Sequence, residues 1–261
     1  MAATQNIYDT PDFFEAYAAL PRQVHGLSSA KEWPTLQRLL PADLRGADVL
    51  DLGCGFGWYC RWFTAERGAA SARGVDISER MLARAREMTP GSDAEGAEGT
   101  ERTDTSSITF ERADLEAVEL PAGAYDLVFS ALALHYVSGL ERLLAQVHGA
   151  LRPGGALVFS VEHPLLTAPR RQGFVTDAEG VRYWPLDNYH DEGERVSTWL
   201  GSSVRKQHRS TGTYVNLLLS AGFDIRGFED WHPELTEEYR NSAWGKNWIR
   251  TSFLLISAVK R

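Results

Sequence analysis

Cysteine, long apolar stretches and basic runs are all scarce in this sequence. Cys54 and Cys60 are its only cysteines, and because their spacing is not that of metal ligands we expect two small buried residues and no metal site. No apolar stretch approaches the ~20 residues that span a bilayer. The first fourteen residues, MAATQNIYDTPDFF, have neither the basic start nor the apolar core of a signal peptide. These absences predict a soluble cytoplasmic protein without a membrane partner.

The charge balance is acidic. The 27 basic and 35 acidic residues give a net charge of −8, whereas proteins that bind duplex nucleic acid neutralise phosphates with positive charge. The composition therefore argues against a nucleic-acid partner and favours a small molecule. An apolar fraction of 43% is ample for a sizeable core. The chain is predicted to act as a monomer or a homodimer.

One stretch, VLDLGCGFGWYC at residues 49–60, begins as a buried strand and then carries glycine at alternate positions, Gly53, Gly55 and Gly57. Glycine adopts positive φ and lets a ligand approach the backbone closely. A helix follows, so we expect backbone N–H groups and a helix N-terminus to face a bound ligand. Asp51 favours a cationic ligand over a pyrophosphate. The G-x-G-x-G spacing differs from the G-x-G-x-x-G of dinucleotide sites, which argues against a nicotinamide-dependent oxidoreductase.

Strand and helix patterns alternate along the rest of the chain. Further strands are predicted in ASARGVDIS, ITFERADLE and YDLVFSALALHYV, and another after LRPGG. This alternation indicates an α/β fold with a doubly wound, mostly parallel sheet. The fourth strand is nearly all apolar, which is typical of a strand covered on both faces. The last two strands, DIRGFEDW and TSFLLISAVKR, are expected to pair as an antiparallel hairpin.

Three segments depart from the alternation. Residues 1–45 are predicted to form an N-terminal helical cap segment, and residues 89–107 a polar, glycine-rich surface loop. Residues 162–209 carry several prolines and scattered aromatic residues and are too long for a simple connection. We therefore expect them to be an insertion that caps the active face and contacts the substrate. All of these segments belong to a single predicted domain, residues 1–261.

The motifs VLDLGCGFG, GVDIS, RADLE, YDLVFSALALHYV and LRPGG resemble those of the class I S-adenosylmethionine-dependent methyltransferases in order and approximate spacing. They cover roughly residues 47–160, and AGFDIRGFEDW with FLLISAVK fits the final helix and hairpin of that superfamily. The segments NIYDTPDFFEAYAALPR and FSVEHPLLTA resemble a subgroup of bacterial small-molecule methyltransferases. The resemblance implies a Rossmann-like fold with seven strands, S-adenosyl-L-methionine as cofactor and S-adenosyl-L-homocysteine as product.

The resemblance also implies roles for residues at the ends of the first two strands. The backbone at Gly53 and Gly55 is expected to pack against the methionine and ribose parts of the cofactor. Asp51 would orient the loop or the ammonium group. Asp76 would accept hydrogen bonds from the ribose hydroxyls, and Ile77 would lie against one face of the adenine. Cys54, within the loop, is counted with the cofactor-binding residues.

Residues beyond the third and fourth strands complete the cofactor site that the resemblance implies. Asp114 is expected to accept from the adenine amino group, and the N–H of Leu115 to meet a ring nitrogen. The carbonyl groups near Ser130 and Ala131 would receive the ammonium group. The N-terminal segment leaves two possibilities open. Its short amphipathic helix simply packs on the sheet, or Tyr8, Tyr17 and Arg22 close over the cofactor carboxylate and the substrate.

The acceptor side of the site is predicted from histidine and aromatic residues. His135 follows the fourth strand and His163 the fifth, at the edge where parallel sheets bind ligands. A histidine can accept a proton near neutral pH, so both are candidate catalytic residues, with His163 preferred because Pro164 keeps it extended. The alternative is that Glu162 and His163 only tie the insertion to the sheet. The aromatic residues predicted to contact the substrate are Tyr8, Tyr17, Trp184 and Tyr189. They suggest an apolar or planar acceptor, or a cationic amine held by cation–π contact.

These observations leave more than one function open. The favoured one is methyl transfer to N or O of a small-molecule metabolite. A methyltransferase-like protein that binds the cofactor without turnover is one alternative, but the glycine loop is intact. An RNA methyltransferase is another, although the acidic balance and the lack of a basic arm weigh against it.

Overall fold

Residues 4–92, 107–234, 236–237 and 250–261 are described by a computed structural model of the chain. Eleven strands lie within these ranges: β1 (Asp48–Leu52), β2 (Ser71–Asp76), β3 (Ile108–Arg112), β4 (Tyr125–Ala131), β5 (Leu151–Glu162), β6 (Val175–Thr176), β7 (Arg182–Tyr183), β8 (Gly193–Trp199), β9 (Ser202–His208), β10 (Phe223–Trp231) and β11 (Phe253–Lys260). Most of the predicted loop at residues 89–107 falls outside the described residues.

The α-helices of the same ranges are α1 (Pro11–Ala18), α2 (Pro21–His25), α3 (Trp33–Leu39), α4 (Trp58–Arg67), α5 (Glu79–Glu87), α6 (Leu140–Ala150), α7 (Pro164–Thr167) and α8 (Thr211–Ser220). Local chemistry explains several of their ends. The Ser78 hydroxyl accepts from the Met81 N–H at the start of α5, and Gly68 ends α4 with a φ of 68°. No described helix is both long and apolar enough to cross a membrane.

Seven of the strands form one sheet in the order β10-β11-β5-β4-β1-β2-β3. The pairs β1–β2, β1–β4, β2–β3 and β4–β5 are parallel. β11 is antiparallel to both β5 and β10. This topology confirms the predicted Rossmann-like methyltransferase fold, a doubly wound, mostly parallel seven-stranded sheet that closes with an antiparallel hairpin.

The sheet is covered by helices on both faces, as its apolar strands predict. On one face, Leu50 of β1 and Val128 of β4 belong to a buried cluster that includes residues of α6 and α8. On the other face, Val49 and Leu127 belong to a second buried cluster with residues of α3 and α4. The alternation of neighbouring residues between the clusters follows from the period of two in a strand.

The N-terminal segment and the insertion pack against each other through aromatic rings. The ring centroid of Trp199, at the end of β8, lies 5.5 Å from that of Phe13 and 5.9 Å from that of Tyr17. Gln5 reinforces this contact, since its side chain exchanges hydrogen bonds with the backbone of Arg205 on β9. Residues 162–209 hold two small antiparallel sheets, β6–β7 and β8–β9. Their assignment as a substrate cap stays a prediction.

Candidate active site

A cavity of about 1330 Å³ lies where the parallel strands end. Its walls come from the ends of β1, β2 and β4, from the N-terminal segment, and from residues around β8, β10 and β11. Typical pockets for one small ligand measure roughly 300–1,000 Å³. The cavity is therefore large enough for two ligands side by side.

The glycine loop after β1 forms part of the floor. Gly53 has a φ of +77°, and a Cβ placed there would lie 2.4 Å from the Cβ of Ala133. Gly55 has a φ of +53° and no atom within 4 Å of such a Cβ, so its position is open. Both glycines line the cavity. The loop thus presents bare backbone to the cavity, as the sequence predicts.

The sequence predicts that N–H groups of this loop face a ligand, but three of them donate to other groups of the protein. The N–H groups of Gly53 and Cys54 donate to the Val75 carbonyl, at 2.8 and 3.0 Å. The Gly55 N–H donates to Oδ2 of Asp76 at 3.0 Å. The loop folds over the end of β2, and its donors are used in holding it there.

Asp76 is fixed at the cavity by two backbone donors. Its Oδ2 accepts from Gly55, and its Oδ1 accepts from the Ser78 N–H at 2.9 Å. Burial raises the pKa of the Asp76 carboxyl above its ordinary value, against these hydrogen bonds, which lower it. Ile77 lines the cavity beside it. Asp76 can therefore hold hydroxyl groups of a ligand without reorienting.

Asp51, Cys54 and Ser130 lie behind this floor rather than on its surface. Asp51 is 1% exposed; its Oδ2 lies 3.7 Å from the Cys60 thiol, and its buried Oδ1 has no hydrogen-bond partner among the described residues. Burial raises the pKa of Asp51 to about 8. The Ser130 hydroxyl donates to the Leu52 carbonyl at 2.7 Å. Cys54 is a buried, free cysteine.

The remaining predicted cofactor residues beyond β3 and β4 do line the cavity. They are Asp114, Leu115 and Ala131. Oδ2 of Asp114 accepts from the Thr4 hydroxyl at 2.5 Å, and Oδ1 accepts from the Glu116 N–H at 2.9 Å. Asp114 therefore already has a donor from the N-terminal segment at the position where the sequence predicts a ligand donor.

Tyr17 and Arg22 line the cavity from the N-terminal side. The Arg22 guanidinium donates to Oε1 of Glu32, a side chain that is only 1% exposed. The ion pair of Arg22 with Glu32 is not predicted from the sequence. Arg22 is thus anchored by a buried carboxylate, and any contact with a cofactor carboxylate has to use its other donors.

Six lining residues form what we call the acceptor cluster: Tyr8, Tyr17, His135, Tyr136, Glu162 and Trp199. The Tyr8 ring lies 5.3 Å from the Tyr17 ring and 6.4 Å from the Tyr136 ring, measured between centroids. Nδ1 of His135 accepts from the Glu162 N–H at 3.3 Å. Oε1 of Glu162 accepts from Nζ of Lys206 at 2.5 Å. The cluster therefore combines an aromatic wall, an imidazole and an ion-paired carboxylate.

Three residues predicted for the acceptor side, His163, Trp184 and Tyr189, also lie outside the cavity wall. His163 is 3% exposed; its Nδ1 accepts from the Leu165 N–H at 3.1 Å, and its Nε2 donates to Oδ1 of Asp230 at 2.8 Å. The imidazole thus caps α7 and ties it to β10, instead of lying at the mouth of the site as expected. Trp184 donates to the Leu165 carbonyl, and the Tyr189 hydroxyl contacts Thr211 at the start of α8. Both hold the insertion together.

Glu162, Tyr136 and Trp199 line the cavity but are not among the site residues predicted from the sequence. Glu162 is adjacent to His163, and successive side chains of an extended chain point to opposite sides. The choice between these two neighbours therefore decides which one reaches the cavity. The pairing of Ala131 with Ser160, two residues before Glu162, gives the register that settles it, but register is not readable from one sequence.

The chain matches the family described as "Methyltransferase domain" over residues 50–159. Its sequence is 45% identical to that of an S-adenosylmethionine-dependent methyltransferase from Mesorhizobium loti whose crystal structure is known. The two structures match with a TM-score of 0.78, over 90% of this chain and 100% of that chain. A proposed S-adenosylmethionine-dependent methyltransferase from Listeria monocytogenes is 37% identical, with a TM-score of 0.74 and coverage of 89% and 99%.

Trans-aconitate 2-methyltransferase from Deinococcus radiodurans is 32% identical over 169 residues, which are 61% of this chain and 58% of that enzyme. The chain thus spans little more than half the length of this named relative. Together with the fold, these likenesses show that the chain belongs to the class I S-adenosylmethionine-dependent methyltransferase superfamily. It is an S-adenosylmethionine-dependent methyltransferase, and S-adenosyl-L-methionine is its cofactor.

The residues present fit this cofactor. The backbone at Gly55 is open to the cavity, and the Asp76 carboxylate is fixed where it can accept from two hydroxyls. The unpartnered Oδ1 of Asp51 lies behind the glycine loop, and a nearby ammonium group would favour the ionised form of this carboxyl. Their individual roles toward the cofactor stay predictions.

Proposed function

We propose that this enzyme transfers the methyl group to an N or O atom of a small molecule bound at the acceptor cluster. The observation that carries the proposal is that the acceptor cluster lines the same cavity as Asp76 and the glycine loop. The cavity has room for a second ligand beside the cofactor. A relative that is named for a small acceptor, trans-aconitate 2-methyltransferase, supports the same class of substrate.

The chemistry needs positioning more than a strong base. The bound cofactor supplies a methyl group that is already activated on a sulfonium. The side chains of the cavity then have to orient the acceptor atom and exclude water, and orientation alone can lower a barrier by ~7–11 kcal/mol. Tyr8, Tyr136 and Trp199 provide rigid walls for this purpose.

His135 is suited to donate a hydrogen bond to the acceptor. Burial lowers the pKa of His135 to about 4, so the imidazole is neutral at pH 7. Because its Nδ1 accepts from the Glu162 N–H, its proton resides on Nε2. The ring lines the cavity, so Nε2 is the nitrogen that can donate to a ligand there. An imidazole in this tautomer orients an acceptor and does not take a proton from it at Nε2.

The proposal is tested by incubating the enzyme with S-adenosyl-L-methionine and a library of small metabolites, with total RNA as a separate acceptor. We expect a product 14 mass units heavier than one library member, about one CH₂ group, with formation of S-adenosyl-L-homocysteine. Tight binding of S-adenosyl-L-homocysteine without methylation of any acceptor would point to a cofactor-binding protein. Methylation of RNA alone would replace the small-molecule assignment.

A further inference from the structure

The carboxylate of Glu162 has unused hydrogen-bonding capacity at the cavity. Oε1 accepts from Lys206, whereas Oε2 is buried and has no partner among the described residues. The Glu162 side chain is 19% exposed, and the Lys206 side chain is 6% exposed and does not line the cavity. The terminal torsion of glutamate is soft and roughly two-fold, so the two oxygens can exchange places. Glu162 thus offers an acceptor to a ligand while Lys206 stays behind it.

The rings around Glu162 favour a positively charged ligand. Tyr8, Tyr17, Tyr136 and Trp199 line the same part of the cavity, and aromatic faces attract cations. Lys206 already makes such a contact, with Nζ 5.8 Å from the centroid of the Trp199 ring. A carboxylate beside aromatic faces is the combination that binds ammonium groups.

A carboxylate acceptor finds less support in this cluster. The lysines and arginines that line the described cavity wall are Arg22, Lys31, Arg38 and Arg250, and none comes from the ends of β4 or β5. Arg209, near His135, donates through Nη2 to the carbonyls of Val137 and Ser138 and does not line the cavity. An anionic acceptor at the cluster would face Glu162 with the His135 N–H as its main donor. The negative charges of Glu162 and of such an acceptor would repel each other.

We infer that the acceptor is an amine and that Glu162 binds its nitrogen, an inference that rests on the proposed function. The ammonium form that the cluster binds first loses one proton to water. The neutral amine then uses its lone pair to form the new N–C bond as the S–C bond breaks, and the electron pair of the broken bond stays on sulfur. The positive charge passes to nitrogen, where the Glu162 carboxylate stabilises it. The proton stays on nitrogen until the product leaves and is then lost to water. Glu162 acts by electrostatic stabilisation, with the Tyr8 and Tyr136 rings around the charge.

The inference is tested first by binding, without turnover. Benzyltrimethylammonium and benzoate, probes of similar size and opposite charge, are titrated calorimetrically into the protein saturated with S-adenosyl-L-homocysteine. We expect the ammonium to bind more tightly than benzoate. Glu162→Gln should weaken ammonium binding by about tenfold or more, whereas Lys206→Met, which leaves the carboxylate uncompensated, should strengthen it. A purely structural ion pair would give loss of binding in both variants.

Controls separate recognition from folding. Glu194→Gln changes a half-exposed glutamate on β8 that does not line the cavity and should leave both probes unaffected. The double variant Glu162→Gln, Lys206→Met removes both charges of the pair, so it tests the same contact without a buried unpaired lysine. Equal binding of both probes by the wild type, or unchanged ammonium binding in the folded double variant, would overturn the inference.

Turnover then distinguishes the two proposals. In the metabolite screen we expect the methylated product to be an amine, and Glu162→Gln to lower kcat/KM by about a hundredfold while the affinity for S-adenosyl-L-homocysteine stays the same. A product methylated on a carboxylic acid or hydroxyl would overturn the amine assignment and leave the proposed function standing. Absence of any methylated small molecule would overturn both.

Discussion

At the scale of single residues, orientation rather than position along a strand decides which side chains reach the site. Asp76 and Asp114 follow parallel strands and do line the cavity, as the edge rule predicts. Glu162 and His163 also share such a position, but only Glu162 faces the cavity. Trp184 and Tyr189 belong to an insertion without periodicity, so their contacts with Leu165 and Thr211 carry no sequence signal.

Asp76→Asn is expected to weaken the binding of S-adenosyl-L-homocysteine by roughly 1–3 kcal/mol, because a charged hydrogen-bond acceptor is removed. Isothermal titration calorimetry measures the change. Asn keeps only one of the two acceptor oxygens, so one of the backbone donors at Gly55 and Ser78 loses its partner. The Tm of the variant is therefore measured as well, to show that the protein stays folded. Asp43→Asn, at an exposed ion pair with Arg45, is the control. Unchanged affinity in Asp76→Asn would exclude Asp76 from the ribose site.

His163→Ala is expected to lower the free energy of unfolding by about 1–2 kcal/mol, since it removes a helix cap and a hydrogen bond to Asp230. Chemical denaturation measures this. His163→Asn should recover part of the loss, because its amide oxygen can accept from the Leu165 N–H. The folded variants should keep their methylation rate. A rate lowered about a hundredfold in a stable Asn variant would instead support the catalytic role that the sequence suggests.

At the scale of elements, the connection from β1 to α4 is the most predictable part of the molecule. Three glycines with φ of +77°, +53° and +71° occupy the alternate positions of the loop, and this pattern is visible in the sequence. The direction of its N–H groups is not visible, because it depends on how the loop lies over β2. The seven strands of the main sheet could likewise be predicted from the sequence, whereas strands β6 to β9 of the insertion could not.

Gly53→Ala is expected to destabilise the protein more than Gly123→Ala does. Both glycines have positive φ, which costs a non-glycine residue roughly 1–2 kcal/mol. Only at Gly53 would the new Cβ meet another atom, the Cβ of Ala133 at 2.4 Å, whereas Gly123 has nothing within 4 Å. Thermal unfolding of the two variants separates backbone strain from the clash. Equal shifts in Tm would contradict the close approach.

At the scale of the whole molecule, buried ionisable groups tie stability to pH in opposing directions. Burial lowers the pKa of His135 to about 4 and raises that of Asp51 to about 8. A histidine kept neutral when folded destabilises the folded state as pH falls below its unfolded pKa of ~6.5. A carboxyl kept protonated when folded stabilises the folded state most at low pH and loses this effect as pH rises toward 8.

The effect of His135 on the pH dependence of stability is therefore measured by comparing the wild type with His135→Asn. Between pH 6.5 and 4, the free energy of unfolding of the wild type should fall relative to the variant by about 2–4 kcal/mol. Urea denaturation at several pH values gives the difference. Parallel curves for the two proteins over this range would show that His135 is protonated as readily in the folded state as in the unfolded chain.

Thr4 and Asn6, among the first described residues, bear on how fast a ligand binds and leaves. The Thr4 hydroxyl occupies Oδ2 of Asp114, and the Asn6 amide donates to the Ile77 carbonyl. A carboxylate oxygen can accept two hydrogen bonds, so a ligand donor at this oxygen either shares it with Thr4 or displaces Thr4, and displacement would couple association and release to movement of this segment. Such loop movements take place over microseconds to milliseconds. We therefore expect the rate constants for cofactor exchange, and not only its equilibrium affinity, to depend on Thr4 and Asn6.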